Sequence, residues 1–413
     1  MILEQKYEKK NIADYRKFMS DERWASLLSE AEKFRGKKIA HINATPKGGG
    51  VAEILKSLVP LQQSLGMDSR WYYLEPDEKL FGITKKIHNS LQGSEQKLTQ
   101  EEKDYYLDFN KRLAGHLNNL DPDVLMVHDP QPLASIEWLK DMPVAIRIHI
   151  DSTHPNPDTR DFLKPFINKY KKIVFTLQDF VPEELKNDKL IISPPAIDPL
   201  SEKNMDLSKE TCEKVMLTSQ IDPSRPVITQ VSRFDMWKDP LGIIDAYNII
   251  KKEIPGTQLI LSGIMEALDD PEALQVLEEV IKKVNDDPDV LLLSRVDQIG
   301  DFSMGIHVNA LQRGSDVIFQ KSLREGFGLT VTEAMWKEKP VIGGNVGGIR
   351  LQIKNGENGF LVDSPEEAAQ ISITLLKDKE LAQKIGKAAK ESVKDNFLIT
   401  RLLEDEFKIM KGA

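Results

Sequence analysis

The chain has 413 residues, of which 40% are hydrophobic and 29% charged, and this composition predicts a globular protein of about two or three domains. Its formal net charge of −9 argues against a sequence-independent nucleic-acid binder, although a local basic pocket is compatible with it. Cys212 is the only cysteine, so an intrachain disulfide is excluded and a reducing compartment is favoured.

Met1–Arg35 is highly charged and lacks the apolar core of a signal peptide, and no apolar run of the chain is long enough to span a bilayer, so we expect a cytoplasmic protein.

The first half of the chain predicts an α/β domain. Asn11–Phe34 has the period of one or two amphipathic helices, and Val51–Leu65 that of another. Continuous apolar segments of strand type alternate with segments of helical composition, namely Lys38–Asn43, Val124–His128, Val144–Ile150, Lys172–Thr176 and Lys189–Ser193. This alternation indicates a parallel sheet covered on both faces.

Pro194–Asn204, with three prolines, is the predicted linker to a second domain. The same rhythm then returns, with strand-type segments at Val227–Phe234, Gln258–Gly263, Val290–Ser294, Asp316–Gln320, Pro340–Gly344 and Gly359–Val362. We therefore expect two doubly wound, Rossmann-like domains, residues 1–200 and 201–395, that face each other across a cleft. In such sheets ligands bind at the carboxyl ends of the strands.

Two glutamates follow the predicted strand Asp316–Gln320. Glu325 is expected in the strand-to-helix loop and Glu333 about one turn into the next helix. Gly326 and Gly328 leave the loop backbone uncovered, and a helix N-terminus with bare amides is an anion site. The carboxylates can accept hydrogen bonds from sugar hydroxyls on either side of a bound diphosphate. The alternative is a solvated loop glutamate and a surface helix glutamate, the usual state of such pairs.

Two cations, Arg233 and Lys238, follow the first strand of the second series, five positions apart. A guanidinium binds a diphosphate in a forked geometry and an ammonium binds it as a point charge, so the pair is suited to that ligand. The alternative is a solvated pair with surface partners.

The first domain offers weaker signals. Gly48–Gly50 form a glycine run between a strand and a helix that is neither a dinucleotide fingerprint nor a P-loop. It presents amides to a phosphate or a sugar, or it is a plain flexible turn. His149 and Asp151 end a strand at the edge predicted to face the cleft, although such a histidine is often structural. His128–Leu133 also ends a strand, and its Asp-Pro turn explains part of it. Asp121–Asp123 precedes a strand and is interpreted as a turn, so no metal site is predicted.

Together these motifs resemble the family 4 retaining glycosyltransferases, which have the two-domain GT-B fold. The resemblance rests on the spacing of Glu325 and Glu333, on Val231–Pro240 and on the later Gly343–Ile349, and it covers nearly the whole chain. The first-domain segments are most similar to the trehalose-forming branch of the family. The resemblance therefore implies transfer of glucose from a nucleoside diphosphate glucose, UDP- or ADP-glucose, to a glucose acceptor.

The resemblance also implies roles for single residues. Arg233 and Lys238 would hold the diphosphate, Glu325 the donor sugar near its third carbon, and Glu333 the nucleotide ribose. His149 would lie by the sugar ring near its sixth hydroxyl. The loop residues expected to contact donor or acceptor are Gly326, Phe327, Gly328, Leu329, Gly347 and Gly348 in the second domain, and Gly48, Gly49, Gly50 and Asp151 in the first. The last helix, residues 396–413, would cross back to the first domain.

The resemblance implies no tightly bound cofactor and no required metal, because cationic side chains would stabilise the diphosphate in place of a metal ion. It leaves open a retaining trehalose phosphorylase of the same fold, although a phosphorylase has no ribose for Glu333 to hold, and a related glucosyltransferase with another small acceptor. A two-domain sugar-binding protein without chemistry would need a secretion signal. The charged N-terminal helices are a candidate homodimer surface. No membrane or nucleic-acid partner is expected.

Overall fold

The computed structural model describes residues 2–75, 77–263 and 271–413. These residues form two compact units, one running up to Ala196 and including Ile399–Ala413, and the other spanning Ile197–Leu398. Each unit is an α/β layer structure with its own sheet and its own apolar core.

The first unit contains a seven-stranded sheet. Its strands are β1 (Ile2–Glu4), β2 (Lys38–Asn43), β3 (Asp68–Leu74), β4 (Val124–His128), β5 (Val144–Ile148), β6 (Lys172–Phe175) and β7 (Leu190–Ile192). The order is β1-β3-β2-β4-β5-β6-β7, and only β1 is antiparallel to its neighbour. The helices are α1 (Asp21–Glu32), α2 (Gly50–Ser64), α3 (Glu78–Leu91), α4 (Gln100–Leu120) and α5 (Pro157–Ile167).

The second unit contains a six-stranded, fully parallel sheet. In chain order it comprises α6 (Lys209–Thr218), β8 (Val227–Val231), α7 (Pro240–Glu253), β9 (Gln258–Ser262), α8 (Pro271–Val284), β10 (Val290–Leu293), α9 (Met304–Gly314), β11 (Val317–Gln320), α10 (Leu329–Trp336), β12 (Val341–Gly344), α11 (Gly347–Gln352), β13 (Phe360–Val362), α12 (Pro365–Lys377) and α13 (Lys379–Asn396). The strand order is β10-β9-β8-β11-β12-β13, the doubly wound pattern with its switch point between β8 and β11.

The last helix, α14 (Ile399–Gly412), packs within the first unit. Glu406 forms a buried ion pair with Arg147 of β5, and the rings of Phe407 and Phe34 stack at 5.6 Å. Burial raises the pKa of Glu406, and the neighbouring guanidinium opposes that rise. The helix is thus fixed to the first unit by a paired charge as well as by apolar contact.

The α/β prediction is confirmed, with differences at the ends of elements. β5 ends at Ile148, two residues before the predicted end, because the backbone N–H of His149 donates to Asp129 Oδ1 at 2.8 Å instead of to a neighbouring strand. β3 was not predicted, since its polar first half, Asp68 to Arg70, hides the apolar pattern although Trp71 is fully buried.

Candidate active site

The switch point of the second unit brings Lys238 and Glu325 together. β8 and β11 are adjacent parallel strands, so the loops that follow them leave the same edge of the sheet. The Nζ atom of Lys238 lies 2.5 Å from Glu325 Oε2, and the two side chains are only 17% and 12% exposed. Ser322 Oγ donates to the same carboxylate oxygen at 3.2 Å. Within the described part of the chain Glu325 Oε1 receives no hydrogen bond, so that oxygen remains available to a ligand.

A second ion pair supports the first. Lys321, which directly follows β11, pairs with Asp239, the residue after Lys238, and Lys321 is only 5% exposed. Asp239 also accepts a hydrogen bond from Gly242 N at 3.0 Å and so caps α7. Sequence reasoning missed both residues, although an aspartate before a proline at a helix start is a capping signal. The Lys238–Glu325 pair fixes the side chain of Lys238, and the Lys321–Asp239 pair fixes the residue that follows it.

Arg233 lies apart from this cluster in the structure. Its side chain is 76% exposed and donates from Nη2 to Asp235 Oδ2 at 3.0 Å. No contact in the described residues joins it to Lys238 or Glu325. Another cation that was not predicted, Arg324, lies over the ring of Trp237 at 4.6 Å from the ring centroid.

The predicted glycines of the second unit bring two loops into close backbone contact. Gly348 N donates to Glu325 O at 3.0 Å, and a Cβ on Gly348 would lie 2.5 Å from Gly326 O and would also meet Phe327 Cα. Gly328 precedes Leu329, the first residue of α10, with a left-handed φ of +85°, and Gly347 has a φ of +40°.

Phe327 and an unpredicted glutamine complete this loop contact. Phe327 is 5% exposed and its ring lies 5.6 Å from that of Phe397, so its side chain belongs to the core while its backbone lines the loop. Gln352 Nε2 donates to Phe327 O at 2.5 Å and to Gly348 O at 3.3 Å. The side-chain amide therefore links the two loops.

Gly348→Ala is expected to destabilise the second unit by roughly 2–3 kcal/mol, because the new methyl group meets backbone atoms that cannot move aside. Thermal unfolding of the variant measures the effect. Gly115→Ala is the matched control, since Gly115 lies inside α4 with open space around it, and alanine there raises stability by up to about 1 kcal/mol. Equal stability of the Gly348 variant and the unmodified chain would contradict the close approach.

Glu333 is the fifth residue of α10 and only 4% exposed. Within the described residues its carboxylate receives no hydrogen bond. Lys337, one turn later, donates from Nζ to Glu333 O at 2.9 Å and to Asn204 Oδ1 at 3.1 Å. Burial lowers the pKa of Lys337 to about 7, and the Glu333 charge opposes that shift. Glu333 therefore combines burial with a carboxylate that is free to accept hydrogen bonds.

The first-unit glycines and Asp151 occupy turns. Gly48 and Gly49 have φ values of +70° and +96°, and Gly50 begins α2. Open space surrounds Gly48 and Gly49, so their backbone conformation and not crowding requires glycine. Asp151 Oδ1 accepts hydrogen bonds from the backbone N–H and the hydroxyl of Thr153 at 3.0 and 2.7 Å. Asp151 thus stabilises its own turn.

His149 belongs to a row of three histidines. His41 in β2, His128 at the end of β4 and His149 after β5 lie on adjacent strands, with ring centroids 5.5 and 5.6 Å apart. His41 Nδ1 lies 3.2 Å from His128 Nε2, and His128 Nδ1 lies 3.3 Å from His149 Nε2. Sequence reasoning missed His41, whose only signal is a polar residue inside an apolar strand.

The histidine row is held in its neutral form. Burial, together with the charge of Arg147, lowers the pKa of His41 to about 4 and that of His149 to about 3, and the hydrogen bond to Gln62 opposes the shift at His41. Burial, the neighbouring rings and Arg147 take the pKa of His128 well below 6.5. Burial also raises the pKa of Asp129 to about 7, opposed by the hydrogen bond from His149 N.

The free energy of unfolding is expected to fall as the pH drops from about 6.5 to about 4. In this range the unfolded histidines bind protons that the folded rings do not, so each ring destabilises the folded state by about 1.4 kcal/mol per pH unit. The raised pKa of Asp129 acts in the opposite direction and offsets the contribution of about one ring. His41→Gln should reduce this slope, and His116→Gln, at an exposed site, should keep it. Denaturant unfolding at several pH values gives both slopes, and equal slopes for the two variants would rule out the buried neutral row.

The described residues contain neither a candidate metal site nor a candidate membrane-spanning helix. No group of three or more His, Cys, Asp or Glu side chains in that part of the chain could hold a metal ion. Among the helices described, none is both long and apolar enough to cross a membrane.

Comparison with known proteins identifies both units. Residues 41–182 match the family model "Trehalose synthase, N-terminal domain", and residues 213–392 match "Glycosyl transferases group 1". The chain is 46% identical to the trehalose synthase of Thermococcus litoralis over 402 residues, 96% of each chain. It is 29% identical to the trehalose phosphorylase of Pleurotus pulmonarius, covering 93% of this chain and 58% of that protein.

Solved structures agree on the fold. The structure of HepE from Anabaena in complex with UDP and glucose superposes with a TM-score of 0.68 at 16% identity, covering 91% of this chain and all of that one. The prediction of two GT-B-type α/β domains is confirmed.

Proposed function

The chain belongs to the trehalose synthase family of group 1 glycosyltransferases, and from this premise we propose that it transfers glucose from a nucleoside diphosphate glucose to glucose and forms trehalose. The observation that carries the proposal is the mostly buried Lys238–Glu325 pair at the strand switch point of the second unit. That edge is where a doubly wound sheet binds its ligand.

Lys238 binds the diphosphate of the donor in this proposal. Its ammonium already has a carboxylate partner, so a phosphate oxygen would share it with Glu325 Oε2. Oε1 of Glu325 then accepts hydrogen bonds from hydroxyls of the donor sugar. Oε1 of Glu325 would thus orient the sugar, while Oε2 holds the Lys238 ammonium next to the leaving group.

Charge separation explains how these groups accelerate transfer. As the glycosidic bond breaks, negative charge grows on the diphosphate and positive charge on the first carbon of the sugar. Lys238, Arg233 and the open amides at the start of α10 would stabilise the leaving group as its charge grows, each preorganised donor contributing about 3 kcal/mol, or roughly a hundredfold in rate. Arg233 must turn from Asp235 to take part, since its exposed side chain pairs there.

The stereochemistry is assigned as retention with attack on the same face of the sugar. Glu325 is the competing candidate for a nucleophile, and we assign it to positioning the sugar, because its Oε2 is bonded to Lys238 and Ser322. A phosphate oxygen of the leaving group takes the proton of the acceptor hydroxyl. In the first unit we assign His149 to the sugar ring.

Glu333→Ala is expected to weaken the binding of free nucleoside diphosphate by about tenfold to a hundredfold, because a buried carboxylate that would hold the ribose hydroxyls is lost. Titration calorimetry measures the change. Glu338→Ala is the control, an exposed glutamate two residues beyond the end of the same helix. Unchanged affinity in the Glu333 variant would remove the ribose role.

A product assay tests the proposed reaction itself. UDP-glucose and ADP-glucose are each incubated with glucose, and NMR identifies the linkage and anomeric configuration of the product. We expect trehalose and free nucleoside diphosphate. The phosphorylase alternative predicts glucose 1-phosphate from trehalose and inorganic phosphate instead, and that result without nucleotide-dependent transfer would overturn the proposal.

A further inference from the structure

The histidine row of the first unit ends on groups that the transfer mechanism does not use. Beyond His41 lie Gln62 of α2 and Ser69 of β3, both buried. Gln62 Oε1 lies 2.9 Å from His41 Nε2 and 2.6 Å from Ser69 Oγ. The row therefore runs across β3, β2, β4 and β5, from a buried amide to the half-buried ring of His149.

The amide gives the row a direction. The structure places the carbonyl of this amide at this end, where Oε1 is the only acceptor for the Ser69 hydroxyl within the described part of the chain, and it leaves the buried Nε2 of the same amide without a hydrogen-bond partner there. The same oxygen then accepts from His41 Nε2, and a neutral imidazole that donates from Nε2 has a bare Nδ1. His41 Nδ1 therefore accepts from His128 Nε2.

The tautomer of His149 follows from the tautomer of His128. A neutral His128 that donates from Nε2 has a bare Nδ1, and this atom lies 3.3 Å from His149 Nε2. His149 must donate from Nε2, so its own Nδ1 carries no proton. In the described residues His149 Nδ1 has no hydrogen-bond partner.

We propose that Gln62, His41 and His128 are positioning residues that hold His149 as the Nε2–H tautomer, so that its Nδ1 accepts a hydrogen bond from a hydroxyl of the substrate sugar. This inference rests on the proposed function for the role of His149, but the tautomer itself does not. The row does not conduct protons, because its far end is an amide that cannot accept one. Its effect is to fix one ring nitrogen as an acceptor, which selects a substrate group that donates.

Nitrogen-15 NMR of the full chain tests the tautomer directly. Long-range proton–nitrogen spectra of protein labelled only at its seven histidines distinguish a protonated from a bare ring nitrogen, and His149→Gln assigns the His149 signals by their loss. We expect a protonated Nε2 and a bare Nδ1 at neutral pH. A protonated Nδ1 on His149 would overturn the proposal.

Two substitutions of His128 separate positioning from bulk. His128→Asn keeps an acceptor close to the position of Nδ1, whereas His128→Leu removes it. We expect the leucine variant to lose the single tautomer and at least about tenfold in kcat without a change in nucleotide affinity, and the asparagine variant to retain both within about threefold. Equal kcat in the two variants would overturn the positioning role.

Further variants keep the test decisive. If His128→Leu does not fold, Gln62→Met removes the directing carbonyl from the other end, with the exposed His116→Gln as control. Gln62→Met should make the His149 signals heterogeneous, and an unchanged single tautomer would contradict the directing role. A correct tautomer together with full turnover in His149→Gln would instead overturn the role of His149 in transfer, which is a failure of the proposed function.

Discussion

Lys238→Met is expected to reduce kcat for glucose transfer by about a hundredfold or more. The substitution removes the cation that would meet the diphosphate as its charge grows, and such groups contribute about 3 kcal/mol each to a transition state. Lys238→Arg should retain part of the rate, because it keeps the charge but changes its geometry. Steady-state kinetics with a nucleoside diphosphate glucose measures the loss, and a rate within a few-fold of the original would contradict the leaving-group role.

Stability complicates this variant, because Lys238→Met leaves Glu325 mostly buried without its partner. Removing one member of such a pair is destabilising. The double variant Lys238→Met with Glu325→Gln removes both charges and should recover much of the stability but none of the turnover. Lys379→Met, an exposed lysine of the same unit, is the control for loss of a surface charge. Melting curves and kinetics on the unmodified chain and on these three variants separate folding from catalysis.

Glu325→Gln is expected to lower kcat/KM for the donor by about a hundredfold while leaving the affinity for free nucleoside diphosphate unchanged or higher. The amide no longer competes with phosphate for Lys238, so the cation is free for the diphosphate. The sugar, however, loses a charged acceptor for its hydroxyls, and hydrogen bonds to charged groups are the stronger ones. The kcat/KM for the donor is therefore expected to fall while the affinity for free nucleoside diphosphate does not.

Kinetics and titration calorimetry on one preparation test this second expectation. Glu338→Gln serves as the matched control, since Glu338 is exposed and paired with Lys390. A Glu325 variant that loses nucleotide affinity in parallel with turnover would show that the glutamate supports the nucleotide and does not compete for Lys238.

The fold was largely predictable because parallel strands with both faces buried read as continuous apolar runs. β4 and β11 are examples in which every residue is buried. β3 could not be predicted in this way, since its polar start conceals a strand whose Trp71 donates from Nε1 to Asn43 Oδ1 at 2.7 Å. Pairing across strands, not local pattern, makes that segment a strand.

The sequence places Arg233, Lys238 and Glu325 after strand ends, but it does not show which of them lie together. Arg233 and Lys238 are equivalent cations in the sequence, yet the structure buries Lys238 against Glu325 and leaves Arg233 exposed beside Asp235. The difference arises from a partner 87 positions away along the chain. His41 likewise reads as an ordinary strand residue, and only the sheet order places it next to His128.

We propose that side chains of the second unit stabilise the departing diphosphate without a metal ion. The most direct measurement is the rate of trehalose formation from a nucleoside diphosphate glucose and glucose in excess chelator, with Lys238→Met beside the unmodified chain. We predict an unchanged rate for the unmodified chain and a rate about a hundredfold lower for the variant. Loss of activity in the chelator, with recovery on adding manganese, would contradict the account.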